Sequence, residues 1–213
     1  MIRLVLATRN EGKIGEMRVL LGDVAVDLLS LRDYGDLPDV VEDGRTFFEN
    51  ALKKARVVSL WTGEMALSDD SGLEVDHLGG APGIYSSRYA GEEATDEEKI
   101  RKLLTSLQGV PEQGRGAAFR CVLVLYRPDG SFESFEGRWR GRIHEQPLGT
   151  HGFGYDPVFF LPEQGVTVAQ LDPDLKNRLS HRARAFQKLK EYLRRSPETP
   201  NGHAPFGGGG KGY

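Results

Sequence analysis

Two adjacent carboxylates form one of the clearest candidate chemical groups in the sequence. Asp69 and Asp70 occur in Ser68-Asp69-Asp70-Ser71-Gly72, directly after the short apolar segment 65–67. Successive side chains of an extended chain point to opposite faces, so we expect one aspartate to face a site and the other to fix a turn at the strand end. A carboxylate here can bind a metal ion or orient water. Alternatively, both aspartates only solvate and hydrogen-bond a loop.

Groups that favour anions follow the first predicted strand, residues 2–7. The segment Thr8-Arg9-Asn10-Glu11-Gly12-Lys13 lies between this strand and a helix predicted to run to about Leu21. Backbone N–H groups at a helix start, an amide and an ammonium can converge there on one phosphate. The segment is not a Walker loop, and polar turns after a first strand are ordinary, so the pattern alone leaves phosphate binding open.

A second group of cations and donors occurs at the start of the last predicted helix. The run is Lys176-Asn177-Arg178-Leu179-Ser180-His181-Arg182, in which Ser180 is suited to cap the helix. Cations at a helix start are unfavourable with the helix dipole, whereas an anion or a carbonyl acceptor is favoured there. A merely solvated helix face does not explain this composition, so we expect a ligand.

Two segments rich in glycine and aromatic residues are neither periodic nor of low complexity. In Gly152-Phe153-Gly154-Tyr155-Asp156-Pro157, the glycines permit a ligand to approach the backbone and Phe153 can stack on a base. A buried aromatic residue in such a loop is also a common core feature. The segment 79–89 must follow a particular path, and it suits a rigid turn beside a dimer contact as well as a direct substrate role.

Strands and helices alternate along the chain. The sequence predicts helices after capping boxes at Thr46 and Thr95, a hairpin of strands 117–126 and 132–143, a strand at 158–160, and a last helix after Ser180. One antiparallel hairpin within alternating elements favours a mixed-sheet α/β protein over an all-β or bundle fold.

Composition narrows the classes of protein further. The chain has 213 residues, 38% of them hydrophobic, which suits one domain or two closely joined lobes. Its net charge of −3 argues against nucleic-acid or membrane-surface binding, and no apolar run approaches a membrane span. The one cysteine, Cys121, lies in an apolar predicted strand and excludes an internal disulfide. We expect a cytosolic protein with a disordered Pro- and Gly-rich tail at 196–213.

In order and composition, these segments resemble the inosine/xanthosine triphosphate pyrophosphatase family. The similarity runs from Leu6-Ala7-Thr8-Arg9-Asn10 to Ser180-His181-Arg182-Ala183, which is nearly all of the chain before the tail. It implies an elongated mixed sheet flanked by helices, with two lobes in residues 1–195 that enclose a cleft, and a homodimer. The implied reaction is hydrolysis between the α and β phosphates with Mg²⁺ as cofactor.

The resemblance also implies roles for individual residues. Glu42 helps bind the metal, unless the neighbouring Asp43 does so, and Asp70 is a metal ligand or the general base. The remaining residues contact the nucleoside triphosphate: the phosphates are held by Thr8, Asn10 and Lys13; Ser71 touches the substrate; the nucleoside wall is Phe153, Gly154, Tyr155 and Asp156; Lys176 reaches the phosphate or base region; and His181 and Arg182 read the purine edge.

Donors at the purine edge would favour inosine and xanthosine over adenosine. The C6 amino group of adenine leaves such donors unpaired, and a site of this kind can discriminate by about 10⁴–10⁵. Guanine has the same C6 carbonyl, so its rejection must arise elsewhere. Two other classes remain open: a catalytically inactive nucleotide sensor on the same fold, and a nucleic-acid-binding protein, which the net negative charge disfavours.

Overall fold

A computed structural model describes residues 2–35, 37 and 40–195 of the chain. The strands are β1 (Ile2–Leu6), β2 (Val26–Ser30), β3 (Met65–Val75), β4 (Gly116–Tyr126), β5 (Phe132–Ile143), β6 (Phe159–Leu161) and β7 (Val166–Thr167). The α-helices are α1 (Glu11–Leu20), α2 (Phe47–Thr62), α3 (Asp96–Ser106), α4 (Pro173–Leu179) and α5 (His181–Arg195). The predicted disordered tail lies outside the described residues.

The seven strands form one open mixed sheet in the order β2-β1-β3-β4-β5-β6-β7. β1 is parallel to both β2 and β3, whereas each later neighbour is antiparallel, including the predicted hairpin of β4 and β5. The flanking helices and the single sheet confirm the predicted α/β class. No helix among the described residues combines the length and apolar character needed to cross a membrane.

Alternating side chains of β4 join different layers of the core. Cys121 and Leu123 pack with residues of α1 and α5, whereas Val122 and Val124 pack with α2 on the opposite face. This follows from the two-residue period of a strand. A further core forms where α3 packs against the far ends of β3, β4 and β5, so the sheet extends beyond α1 and α5. Cys121 is fully buried, as predicted.

The predicted turn at the two aspartates is wrong. β3 continues to Val75, and Asp69 and Asp70 lie in its middle, opposite Leu123 and Val122 of β4. Sequence polarity suggested a strand end, because isolated carboxylates are costly inside a sheet. Here cations from other elements neutralise them, so the polar segment stays extended and buried.

The helix ends are predicted with mixed success. Thr95 and Glu98 form the reciprocal capping box of α3, and Ser180 Oγ accepts from Ala183 N at 3.1 Å to cap α5. At α2, Thr46 caps Glu49 N, but the Glu49 carboxylate accepts from Arg45 N. Lys176 does not lie at the start of the last helix: Pro173 begins the separate helix α4, which ends before Ser180.

Candidate functional site

One cavity of about 410 Å³ lies between the loop after β1, the middle of β3, the start of α5 and the segment 153–156. All of the predicted site residues line it, namely Thr8, Asn10, Lys13, Glu42, Asp70, Ser71, Phe153, Gly154, Tyr155, Asp156, Lys176, His181 and Arg182. The structure therefore brings together side chains from both ends of the chain. Asp43, the alternative to Glu42, is instead exposed and pairs with Lys53 on the surface.

Sequence reasoning missed a mostly buried lysine beside the carboxylates of the cavity. Lys54 Nζ donates to Glu42 Oε1 at 2.7 Å and to Asp70 Oδ1 at 3.1 Å. Asn50, on the same helix α2, donates to the other oxygen of Asp70 at 3.3 Å. A signal was present: Lys54 lies three residues after Ala51 on the predicted buried face, where an unpaired ammonium would be costly.

The Glu42 and Asp70 carboxylates fit a site for Mg²⁺. Both reach the same Lys54 ammonium, so a single cation can contact both of them. No cluster of three or more His, Cys, Asp or Glu side chains suited to a metal occurs in the described part of the chain. Mg²⁺ commonly uses one or two carboxylates and completes its shell with water and substrate phosphates. The donor set therefore suits a metal that arrives with a phosphorylated ligand.

The electrostatic surroundings of these two carboxylates differ. Burial raises the pKa of Glu42, but the nearby cations Lys54, Lys13 and Arg88 lower it by more. The pKa of Glu42 therefore lies below its usual value. Burial dominates at Asp70 and raises its pKa above the usual value despite the attraction of Lys54 and Lys13. Asp70 is thus the more basic carboxylate of the pair.

Asp69 does not face the cavity but holds two of its cations from behind. Its carboxylate is fully buried and accepts from Lys13 Nζ at 2.6 Å and from Arg182 Nε at 2.8 Å. Burial alone would raise the pKa of Asp69, but Arg182 and Lys13 together hold it well below the usual range. As expected, one aspartate, Asp70, faces the site. Asp69 holds two cations in place and does not fix a turn.

Arg182 is held by carboxylates yet keeps hydrogen-bonding capacity. Besides Asp69, it donates from Nη1 to Glu16 and from Nη2 to Ser71 Oγ, the latter at 3.2 Å. Each terminal nitrogen of a guanidinium carries two N–H groups, so these bonds leave one donor on each. The guanidinium carbon lies 5.9 Å from the Phe153 ring centroid. Its remaining donors are therefore beside the aromatic ring.

Glu16 is a second residue that the sequence reasoning missed. Its carboxylate accepts from Lys176 Nζ at 2.7 Å and also binds Arg182, so it joins two buried cations. Burial raises the pKa of Glu16, but Arg182 and Lys176 outweigh this and lower it. The spacing was informative, because Glu16 lies three residues after Lys13 on α1 and so shares its side of the helix.

The Phe153 ring forms a platform in the cavity beside the start of α1. A Cβ atom on Gly12 would lie 2.9 Å from Phe153 Cδ1, so glycine is required there for the ring to approach α1. Asp156 Oδ2 accepts from Phe153 N at 3.0 Å and from Lys176 Nζ at 2.6 Å. Lys176 Nζ lies 4.8 Å from the ring centroid. The turn, its aromatic ring and a cation are thus fixed relative to one another.

His181 lines the cavity and carries an enclosed ring nitrogen. Its Nδ1 has no hydrogen-bond partner among the described residues, and its ring stacks on Phe119 with centroids 4.8 Å apart. Burial and the neighbouring Arg182 lower the pKa of His181 well below its usual value, so the imidazole is neutral near pH 7. Buried polar atoms are rarely left unpaired in folded proteins, so the unpaired Nδ1 is unusual among the described residues.

The segment 79–89 also contributes to the cavity. Ile84, Ser86 and Ser87 are among its lining residues, and Tyr155 donates from its hydroxyl to Ser86 O at 2.9 Å. Tyr85, in contrast, is exposed. One part of this segment therefore lines the site and another part faces outward.

Comparisons with known proteins identify the family of the chain. The Ham1 family model matches residues 4–192. A dITP/XTP pyrophosphatase of Geobacter sulfurreducens is 53% identical over 193 residues, covering 91% of this chain and 97% of that protein. One from Vibrio vulnificus is 50% identical over 199 residues, covering 92% and 99%.

Solved structures show the same fold. A HAM1 protein from Coxiella burnetii is 42% identical with a TM-score of 0.85, covering 92% of this chain and all of that one. The Staphylococcus aureus Ham1 protein is 39% identical with a TM-score of 0.82, covering 91% and 98%. The resemblance found in the sequence is thereby confirmed, and the chain belongs to the Ham1 family.

Proposed function

We propose that this protein hydrolyses non-canonical purine nucleoside triphosphates, namely inosine, deoxyinosine and xanthosine triphosphates (ITP, dITP and XTP), to the monophosphate and pyrophosphate. The observation that carries the proposal is a single cavity lined by the carboxylates of Glu42 and Asp70, by several lysines, and by the Phe153 ring with the donors of Arg182. The names of the relatives, dITP/XTP pyrophosphatases, support the same reaction.

At the proposed phosphate end, the triphosphate meets groups suited to its charge. Asn10 caps α1 by accepting from Lys13 N at 3.0 Å, so the positive end of the helix dipole faces this region. Lys13 and Lys54 supply ammonium groups, while Glu42 and Asp70 would hold Mg²⁺. When bound, Mg²⁺ would offset phosphate charge and polarise the α–β phosphoanhydride.

Asp70 is the residue that we propose to orient and deprotonate the attacking water. Asp70 lines the cavity, and Asn50 and Lys54 fix its two oxygens. The proton of the water would pass to Asp70 as the oxygen attacks the α phosphorus and pyrophosphate leaves.

At the proposed base end, Phe153 would stack on the purine and Arg182 would donate to its C6 carbonyl. His181, which also lines the cavity, is a further group for the base. Adenine presents an amino group at C6, which would leave the buried donors unpaired, so ATP should be a poor substrate. The inactive sensor is the weaker alternative, because binding alone does not need a water-activating carboxylate beside the phosphate cations.

We further propose that the protein acts in the cytosol as a homodimer. The cytosol holds the nucleotide pool on which such an enzyme would act. Exposed apolar side chains, among them Leu60, Trp61 and Tyr85, support a surface that a second copy covers. Sedimentation equilibrium tests this assembly, and a monomer mass at micromolar concentration contradicts it.

Product analysis with a panel of triphosphates tests the reaction. We expect ITP, dITP and XTP to give monophosphate and pyrophosphate with Mg²⁺, and ATP and GTP to react far more slowly. Omission of Mg²⁺ should abolish turnover. Release of orthophosphate, or equal rates with ATP, contradicts the proposal.

A further inference from the structure

The turn that carries Phe153 is hydrogen-bonded to a carboxylate from another part of the chain. This carboxylate has no role in the proposed reaction. Gly154 N donates to Asp96 Oδ2 at 2.6 Å, although 58 residues separate the two in sequence. Asp96 is the first residue of α3, which Ile100 and Leu103 anchor in the core. The carboxylate therefore connects the segment 153–156 to a separate rigid element.

The helix α3 does not require Asp96 for its own capping. Thr95 Oγ1 accepts from Glu98 N at 3.2 Å, and Glu98 Oε2 accepts from Thr95 N at 2.8 Å. Lys99 Nζ instead binds the other oxygen of Asp96 at 2.6 Å, and both of these side chains line the cavity. Lys99 thus holds the carboxylate in the orientation that meets Gly154.

The bonded N–H belongs to the peptide that joins Phe153 to Gly154. Gly154 has φ +64°. Glycine adopts this conformation without a steric penalty, and it can also change easily to other backbone conformations. On the other side of Phe153, its own N–H is held by Asp156. Rotation of the 153–154 peptide would tilt the aromatic ring, and the bond to Asp96 opposes that rotation directly.

We propose that Asp96, oriented by Lys99, is a positioning residue that fixes the Phe153 platform for the purine base. The inference rests on the proposed function, since it assigns Phe153 to the base. Asp96 acts through Gly154 and does not contact the reacting atoms. Its loss should therefore weaken binding at the base end and leave the phosphate end unchanged.

Calorimetric titration with two product ligands separates these ends. We expect Asp96→Ala to raise the Kd of inosine monophosphate about tenfold, a typical loss for one hydrogen bond to a charged acceptor, while the Kd of pyrophosphate with Mg²⁺ stays within about twofold. Asp96→Asn keeps an acceptor for Gly154 and should stay within about threefold of the wild type. Glu97→Ala, which removes a neighbouring exposed carboxylate of α3, is the matched control and should leave both constants unchanged.

Two results would overturn the inference. One is an unchanged Kd of inosine monophosphate in Asp96→Ala, and the other is an equal weakening of both ligands, which indicates only a structural role. Thermal unfolding of each variant checks that α3 stays folded. If the alanine variant does not, Lys99→Met decides: loss of the Lys99 contact to Asp96 should also weaken inosine monophosphate more than pyrophosphate, and unchanged constants would overturn the inference. Failure of the proposed function is separate, because it appears as absent ITP hydrolysis in the wild type.

Discussion

We expect Glu16→Gln to lose both stability and base selectivity, because Glu16 is the carboxylate shared by Lys176 and Arg182. The side chains of Lys176 and Arg182 are only 9% and 2% exposed. The buried cluster balances three cations with three carboxylates, namely Lys13, Lys176 and Arg182 with Glu16, Asp69 and Asp156. The substitution removes one negative charge and leaves a cation uncompensated.

The magnitude follows from the partners that remain. Removing one member of a buried ion pair costs about 3–5 kcal/mol, and we expect about 3 kcal/mol here because glutamine keeps an acceptor oxygen. Lys176 also retains Asp156, and Arg182 retains Asp69. For a domain of this size, each kcal/mol lowers the melting temperature by about 2–4 °C, so the fall should be about 6–12 °C.

The assays are thermal unfolding and the ratio of kcat/KM for ITP over ATP. We expect the ratio to fall about tenfold, because the single oxygen of glutamine cannot replace both carboxylate oxygens, and Arg182 loses its charged acceptor at Nη1. Glu11→Gln on the same helix is the matched control: Glu11 pairs with Arg32 on the surface, and such pairs contribute about 0–1 kcal/mol. A melting temperature within about 1 °C of the wild type, with an unchanged ratio, would refute the reasoning.

Three further outcomes are expected. Asp70→Asn should lower turnover by about 10²–10⁴ while calorimetry still detects bound ITP, and undiminished pyrophosphate release removes Asp70 from its role. Arg182→Ala should narrow the kinetic preference for ITP over ATP, and an unchanged ratio assigns base recognition to the backbone. Lys54→Met should lower the melting temperature without Mg²⁺, because Glu42 and Asp70 lose their cation, and Mg²⁺ should restore part of it. If Mg²⁺ raises the melting temperatures of the wild type and of Lys54→Met equally, this expectation is contradicted.

Local patterns predicted much of the fold because they depend on near neighbours. The β4–β5 hairpin follows from the apolar run in 117–126, the turn at 128–130 and the returning segment 132–143, and the start of α3 follows from the Thr95 capping box. The length of β3 could not be predicted this way. Asp69 stays inside a strand only because Lys13 and Arg182 arrive from distant parts of the chain.

The candidate site was predicted where its motifs were unusual and missed where one residue acts alone. Glycine and aromatic residues marked the segment 152–157, whereas Lys54 and Glu16 are ordinary residues on amphipathic helices. Their importance arises from the partners that folding brings to them. The available signal was the helical spacing of these residues on a buried face. That spacing identifies a site residue only when its partner of opposite charge is also known.

The most direct test of the whole account is hydrolysis of an equimolar mixture of ITP and ATP in ¹⁸O-labelled water with Mg²⁺. Mass spectrometry then identifies the base used and the phosphorus attacked. We predict inosine monophosphate carrying the label, unlabelled pyrophosphate and little adenosine monophosphate. Label in the pyrophosphate, formation of inosine diphosphate, or equal consumption of ATP would contradict a cavity that cleaves at the α phosphorus and reads the purine edge.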